Sequence, residues 1–480
     1  MELSRNDGLW IENEISEANF GDIRLNRRFR VLAAELAANP SQPINQASTD
    51  WAAAKAAYRF FDNPKVSEEK ILEPHFLNTQ LRASNQHRII VVQDTSFIDF
   101  TSHPKTEGLG TTSGRKSDGF ESKGLLLHAA LALSEKGLPL GLLDLKTWAR
   151  THRRGTDNYL KKLMPIEKKE SFKWFKSLYK IDSRTKNQEV VLVCDREGDI
   201  YDFLEECLTT GLDFVIRARQ DRMLEEEDFG DISLFDRLGV EKVMGEVEIE
   251  IPGSGKRKAR TAKLEVKFIP VTYAGQPRGV GIKLLKHRSD LELFVVHLHE
   301  QNPPAEVDQI SWTLITSLPV KNFKSAIEIV RIYKLRWNIE LYFKCLKTGC
   351  GVENTRLASG DKLVRFIALQ SIIAWRILWM TFLNRSAPEG SCENFLTEDE
   401  WKTLWLKKHR RQIKSKLIEA IPPEKPPSTY EAVRWIAMLG GFLGRKNDGE
   451  PGLISVWRGW IELRAATEIY DLLKTKPTPR

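Results

Sequence analysis

Hydrophobic and polar positions repeat along this chain with a period that changes three times. From about 20 to 75 the period is helical. In G-D-I-R-L-N-R-R-F-R-V-L-A-A-E-L-A-A-N-P, Leu25, Phe29, Leu32 and Leu36 return every three or four residues, Asp22 can cap the start, and Pro40 lies past the end. A second helix is expected over roughly 50–62, stopped by Asn63-Pro64. From about 88 the period turns to that of strands. R-I-I-V-V-Q-D ends near Asp94, and G-L-L-L-H-A-A-L-A-L and L-P-L-G-L-L-D-L-K-T-W flank an E-K-G turn. A polar helix over roughly 157–180 leads to E-V-V-L-V-C-D, then a helix beginning in R-E-G-D-I-Y-D-F-L, then D-F-V-I-R-A-R.

That order of strands and helices predicts a mixed α/β sheet of the kind found in ribonuclease-H-like folds. Residues 221–310 interrupt it with alternating apolar and polar positions around a P-G-S-G turn, a β-hairpin followed by the strands L-F-V-V-H-L and S-W-T-L-I-T-S-L-P-V. The α/β pattern resumes with Y-K-L-R-W-N-I-E-L-Y-F-K-C-L-K at 333–347, read as one amphipathic helix. At about 100° per residue, Tyr333, Arg336, Glu340 and Lys347 fall near 0°, 300°, 340° and 320°, a narrow polar stripe beside apolar Leu335, Ile339, Phe343 and Leu346. Beyond about 360 the pattern is helical, with a joint I-P-P-E-K-P-P-S at 421–428 and a breaker L-G-G-F-L-G at 439–444.

At 480 residues and 41% hydrophobic, the chain has material for more than one domain. Its formal charge of +8 permits an anionic partner. Cations cluster as well: Arg24, Arg27 and Arg28 on the first helix, Lys55 and Arg59 on the second, and Lys256, Arg257, Lys258 and Arg260 about the hairpin turn. Two adjacent basic helices suit DNA phosphates, although a solvated face reads the same way. Five cysteines form no paired or zinc-like framework, which suits a reducing cytosol. The start carries no apolar signal core. The most apolar segment, 363–383, is interrupted by Arg365, Gln370 and Arg376, so a buried helix, no membrane role and a cytoplasmic location are expected.

Asp94 and Asp195 each follow an apolar β-run. If their strands are neighbours, the carboxylates approach each other, and Glu340 on a helix packed against the sheet completes an oxygen-ligand set suited to Mg²⁺. Such a set supports in-line phosphoryl transfer, with Arg336, Lys347 and Tyr333 holding phosphate. An Asp after a strand is commonly a turn former, and Asp99, Asp144 and Asp199 remain rival acids on periodicity alone. H-L-H at 297–299 alternates within a strand and reads as structural.

The spacing Tyr, two residues, Arg, three, Glu, six, Lys resembles the glutamate-helix signature of bacterial cut-and-paste insertion-sequence transposases of the Tn-five type, within the DD-E superfamily. V-Q-D-T-S resembles the family's first-aspartate strand, V-C-D-R-E-G-D-I the second, and A-Y-R-F-F-D-N-P-K-V-S the end of its amino-terminal DNA-binding domain. The resemblance implies that Asp94, Asp195 and Glu340 are the catalytic acids holding two Mg²⁺ ions, with Mn²⁺ able to substitute. It implies a DNA-end-binding helical domain over 1–75, a ribonuclease-H-like core over 76–360 with a β-insertion over 221–310, and a helical dimerisation domain over 361–480. Trp312 and Trp337 match aromatic residues that serve a flipped base. Arg217, Arg356, Arg24, Arg28, Arg59, Lys256, Arg257 and Lys258 complete the candidate DNA contacts. Leu25 departs from the family's paired arginines on the first recognition helix, so the DNA end is not carried over.

The function implied is excision through nicks and a DNA hairpin, then joining of 3′ ends to target DNA, by a homodimer bridging two terminal inverted repeats. W-I-A-M-L-G-G-F-L and S-V-W-R-G-W-I-E-L offer aromatic and aliphatic surface for that dimer. The competing expectations are a structure-specific nuclease of the same fold and a non-catalytic DNA-binding regulator.

Overall fold

The computed structural model describes residues 8–111, 121–150, 164–226, 230–251, 259–275, 289–305, 307–446 and 448–474. Lys256, Arg257 and Lys258, and the first part of the helix expected from 157, lie outside them. The chain divides into two compact units. The first takes residues 1–83, 95–154 and 338–480, the second 84–94 and 155–337.

The first unit opens with α1 (Gly8–Ile15), α2 (Ile23–Ala38), α3 (Ile44–Ala47), α4 (Trp51–Asp62) and α5 (Glu68–Ser84). Asp22 caps α2 by accepting the Arg24 N–H at 3.0 Å, and Asp50 caps α4 through the Ala53 N–H at 2.7 Å. Phe29, Leu32 and Leu36 are buried as the period requires, and Phe20, Phe29 and Phe60 pack ring against ring.

Strand β1 (Arg88–Asp99) starts in the second unit and ends in the first. It does not stop near Asp94 as expected. Alternation continues through exposed Phe97, buried Ile98 and exposed Asp99, and the Phe100 N–H then donates to Lys123 O at 2.8 Å. β2 (Gly110–Thr111), β3 (Lys123–Ser134) and β4 (Pro139–Trp148) follow, the last two an antiparallel hairpin about the E-K-G turn.

In the second unit, α6 (Phe172–Arg184) precedes β5 (Glu189–Cys194), and α7 (Tyr201–Thr210) precedes β6 (Asp213–Arg217). The first half of β1, β5 and β6 run parallel. Next come β7 (Met223–Glu226), β8 (Gly230–Ser233), α8 (Leu234–Val240), β9 (Gly245–Ile251), β10 (Arg260–Tyr273), β11 (Leu291–Glu300) and β12 (Ser311–Thr316). The expected interruption is therefore an extension. β12 pairs antiparallel with β6, β11 with β12 and β10 with β11, so the insertion widens the same sheet. α9 (Phe323–Lys334), started by an Asn322 and Ser325 capping box, packs against β6, β11 and β12.

The first unit resumes at Asn338, inside α10 (Trp337–Lys344), and continues with α11 (Gly360–Ser386), α12 (Glu398–Lys414), α13 (Thr429–Leu439) and α14 (Leu453–Lys474). α11 is long and apolar enough to cross a membrane, but its most apolar window is 89% buried, which makes it a core helix. Gly440 of the breaker and Gly459 on α14 have a packing role: a Cβ on Gly440 would lie 2.0 Å from Ser455 O, and one on Gly459 1.7 Å from Ile436 O. Only hydrogen side chains let α13 and α14 approach this closely. Val456, Trp457 and Trp460, expected as dimer surface, are buried within the unit, because α14 packs them against its neighbours.

Candidate active site

The two aspartates come together through strand register. β1 pairs with β5 from Arg88↔Glu189 to Val92↔Val193. The pairing ends there, two residues short of Asp94 and Asp195; the same offset carried on would set them opposite each other, on strands about 4.8 Å apart. The condition of neighbouring strands is met. Asp94 sits within β1, its Oδ2 accepting from Arg336 Nη1 at 3.3 Å. Asp195 closes β5 and caps a 3₁₀ turn, Arg196–Gly198, through the Glu197 N–H at 2.9 Å.

The 333–347 segment is not one helix. At Leu335 and Arg336 the backbone N–H groups reach back three residues, to Ile332 O at 3.1 Å and Tyr333 O at 3.0 Å, and α9 ends. α10 starts at Trp337 and runs into a π turn, Cys345–Gly349, closed by Cys350 N–H to Cys345 O at 2.8 Å. The 100° wheel fails across both irregularities, so the polar stripe is not a helical stripe. Such departures from α geometry recur at functional sites.

What the break accomplishes is visible in the second unit. Tyr333 is 5% exposed, its ring edge-on to Trp312 at 5.5 Å. Burial raises the Tyr333 pKa, and the Arg336 and Arg217 guanidiniums act in the opposite sense. Arg217, on β6, donates Nη2 to Ser311 O at 2.8 Å. Burial lowers its pKa, with Tyr333 opposing. Asp94, Arg336, Tyr333 and Arg217 are thus a connected row of charge and phenol. Trp312 is half-buried, whereas Trp337 is 53% exposed and no part of a core.

In the first unit, Glu340 is half-buried on α10 and Lys347 lies in the π turn. Burial lowers the Lys347 pKa, against the pull of Glu353 and Asp99. Arg356, Arg24 and Arg59 are exposed and Arg28 half-exposed. Arg24 bonds back to its own cap, Asp22, at 3.2 Å, and Arg260 is held in a two-pronged pair with Glu300. Among the rival acids, Asp199 accepts from Arg222 Nη1 at 2.5 Å and from the N–H groups of Arg219 and Gln220, a structural assignment. His297 hydrogen-bonds Thr313 Oγ1 at 2.9 Å and stacks on His299, and burial lowers its pKa to about 4.

Three family models match this chain: "Transposase DNA-binding" over residues 7–66, "Transposase DDE domain" over 180–376 and "Transposase Tn5 dimerisation domain" over 372–471. The chain belongs to the Tn5-type DDE transposases. The expected mixed α/β fold between helical termini holds for this transposase. A solved structure titled "Cryo-EM structure of piggyBac transposase synaptic complex with hairpin DNA" is similar at 8% identity and a TM-score of 0.31. The match covers 74% of this chain and 62% of that one, a likeness too slight to bear on what this chain binds.

A DDE domain implies dependence on a divalent metal ion. The donor chemistry fits, since Asp94 and Asp195 offer the hard carboxylate oxygens that such ions take. Among the described residues no three His, Cys, Asp or Glu side chains stand assembled as a metal site, and Asp94 faces Arg336 instead. Sequence reasoning missed that ion pair and the break at 335–336, because no glycine or proline marks the turn.

Proposed function

We propose that this transposase binds the terminal inverted repeats of a mobile element, excises it through nicks and a hairpin intermediate, and joins its 3′ ends to target DNA. The observation that carries this reading is the parallel pairing of β1, which bears Asp94, with β5, which Asp195 directly follows, Asp195 lying in the part of the chain that matches the DDE domain. Asp94, Asp195 and Glu340 are the proposed catalytic acids. Two Mg²⁺ ions, or Mn²⁺ in their place, held by these carboxylates supply charge stabilisation for in-line displacement at phosphorus.

The chain's other side chains bind and orient DNA. Arg336, Arg217 and Tyr333 take phosphate oxygens, Lys347 neutralises a further phosphate, and Trp312 and exposed Trp337 offer stacking faces for a base leaving the duplex. Arg356, Arg24, Arg28, Arg59, Lys256, Arg257 and Lys258 add phosphate contacts along the duplex. Water attacks the scissile phosphate as the 3′-oxygen leaves. The freed 3′-hydroxyl then attacks the opposite strand and closes the hairpin. A second water opens it, and the 3′-hydroxyl joins to target DNA.

Arg336 pairs with Asp94, and a DNA phosphate would compete for the same guanidinium. Self-association falls to the C-terminal helices, where Ile469, Leu472 and Leu473 form an exposed stripe with i, i+3, i+4 spacing, at 61%, 67% and 80% exposure. Cytoplasmic residence on DNA follows from this activity.

The test is a linear duplex bearing the element's ends, incubated with Mg²⁺. Hairpins and inserted ends are expected. Cuts without joined products would make the protein a nuclease, and a mobility shift without cuts a regulator. Glu340→Ala is expected to keep end binding and abolish nicking.

A further inference from the structure

A cavity of about 180 Å³ lies within the first unit, between α1, α2, α11, α12 and α14. Four tryptophans wall it: Trp10, Trp375, Trp379 and Trp460. Three arginines and two glutamates also reach it. Arg82 is held in a two-pronged pair by Glu14, at 2.7 and 2.9 Å, with its guanidinium 4.3 Å from the Trp375 ring. Arg464 pairs with Glu400 at 2.7 Å. Arg376 is the odd cation. It is 8% exposed, 4.6 Å from the Trp10 ring and 5.9 Å from Trp460.

A guanidinium carries five N–H donors. Among the described residues, Arg376 uses one, Nη2 to Phe395 O at 3.1 Å, and its buried Nε has no partner. Burial pulls its pKa down to about 10, with Glu400 and Glu14 opposing, so it stays charged at neutral pH. One positive charge is therefore left over in a cavity with hydrogen-bonding capacity to spare. A buried, under-paired cation is costly to the fold. Water satisfies donors but brings no charge.

We propose that this cavity binds a small organic monoanion, a carboxylate whose charged end takes Arg376 and whose apolar part lies against the tryptophans. A guanidinium fork matches carboxylate geometry. The volume suits one six-membered ring, since an apolar cavity of about 150 Å³ accepts benzene. Bound there, the ligand joins α1 to the C-terminal helices, so its effect is on how firmly the amino-terminal segment is held. Metal binding and phosphoryl transfer play no part in it.

The probe is sodium benzoate added to the full-length protein at constant ionic strength, read by tryptophan fluorescence and melting temperature. A saturable fluorescence change is expected, with a melting temperature that climbs with the logarithm of benzoate concentration above Kd. Benzamide, the neutral isostere, is expected to do neither. Arg376→Met removes the charge and is expected to abolish the response. Ala38→Leu fills the cavity with every charge retained, and guards against a folding defect in the first variant. Equal responses to benzoate and benzamide overturn the proposal, as does an unchanged benzoate response in both variants. A response to inorganic phosphate with none to benzoate also overturns it.

Discussion

Asp94 and Glu14 are both carboxylates facing an arginine, yet the two pairs are built differently. Asp94 meets Arg336 Nη1 at 3.3 Å, with both side chains nearly a fifth exposed. Glu14 is 6% exposed, grips Arg82 with both oxygens, and also takes the proton-bearing Nδ1 of His75. The opposite nitrogen, His75 Nε2, accepts the Leu142 N–H at 3.0 Å, which fixes a neutral imidazole. A longer, partly solvated contact can be exchanged for a phosphate at smaller cost than a buried one. A buried, multiply bonded one holds helices in place. The same chemistry serves turnover in one unit and architecture in the other.

Two substitutions should separate these roles most sharply. Glu14→Ala strands a buried histidine and an arginine, and breaking a buried pair costs about 3–5 kcal/mol. A clear fall in melting temperature is expected, with nicking at permissive temperature retained. Asp94→Asn is expected to abolish nicking while the melting temperature stays put. If Asp94→Asn also melts several degrees early, the contrast between the two pairs is wrong.

Arg336→Ala tests exchangeability directly. The pair is a 3.3 Å contact with partial access to solvent, so its loss is expected to cost less stability than loss of the Glu14 pair. Without DNA, the variant is expected to bind Mn²⁺ more tightly than the parent, because Asp94 has lost its competitor. End-DNA affinity should drop at the same time. Titration of Mn²⁺ by paramagnetic resonance reads the first effect, and an unaltered or weaker Mn²⁺ affinity would dismiss the exchange.

Acid distinguishes the pairs next. Burial holds the His75 pKa below its ordinary value, so His75 stays neutral in the fold while the unfolded chain takes up a proton. Its contribution is complete above about pH 6.5 and declines as pH falls through the folded value. Burial alone would raise the Glu14 pKa, but His75 and Arg82 outweigh it and leave the pKa lowered. That contribution is lost only as pH falls below about 4.5. Melting temperature should therefore decline in two stages, and His75→Asn is expected to remove the upper one. A single decline beginning below pH 5 in the parent protein would argue against a neutral His75.

How far these features were legible depends on how local they are. The five strands ending in D-F-V-I-R-A-R announced themselves because each is a short apolar run with period two or near-total burial. The register of Asp94 with Asp195 followed once β1 and β5 proved adjacent. The turn at Leu335–Arg336 gave no sign, since both residues are good helix formers and only tertiary context ends α9 there. Val456, Trp457 and Trp460 are buried rather than on the dimer surface, because aromatic and aliphatic content cannot tell a face buried by neighbouring helices from one awaiting a partner subunit. Hardest of all was the charge cluster of Glu14, His75, Arg82, Arg376, Glu400 and Arg464, whose members are hundreds of positions apart and look individually like solvated residues.

Trp312 offers a subtler comparison with Trp337. Trp312 leans on Tyr333 and is half-buried, whereas Trp337 stands 53% exposed on the first residue of α10. Trp312→Ala is expected to leave the first nick at parental rate and to impair hairpin formation, read on a denaturing gel. Base stacking on an aromatic ring is worth about 1–3 kcal/mol. The same substitution at Trp337 should have the smaller effect. Unchanged hairpin yield in Trp312→Ala would return that ring to a packing role.

The smallest effect should come from the most exposed arginine pair. Among the described residues, Arg24 bonds to the carboxylate that caps its own helix, with its side chain 89% exposed. Arg24→Ala is expected to leave melting unchanged, because Asp22 still accepts the backbone N–H at position 24. If Arg24 leaves Asp22 for a phosphate when DNA binds, the loss appears in the salt dependence of end binding. Each phosphate contact removed lowers the slope of log affinity against log salt by about one. A parental slope in the variant would mean that Arg24 stays with its cap and that α2 meets DNA, if at all, through Arg28. Both exchangeable pairs, at Asp94 and Asp22, would then have to be judged separately, since solvent exposure alone would no longer predict which arginine lets go.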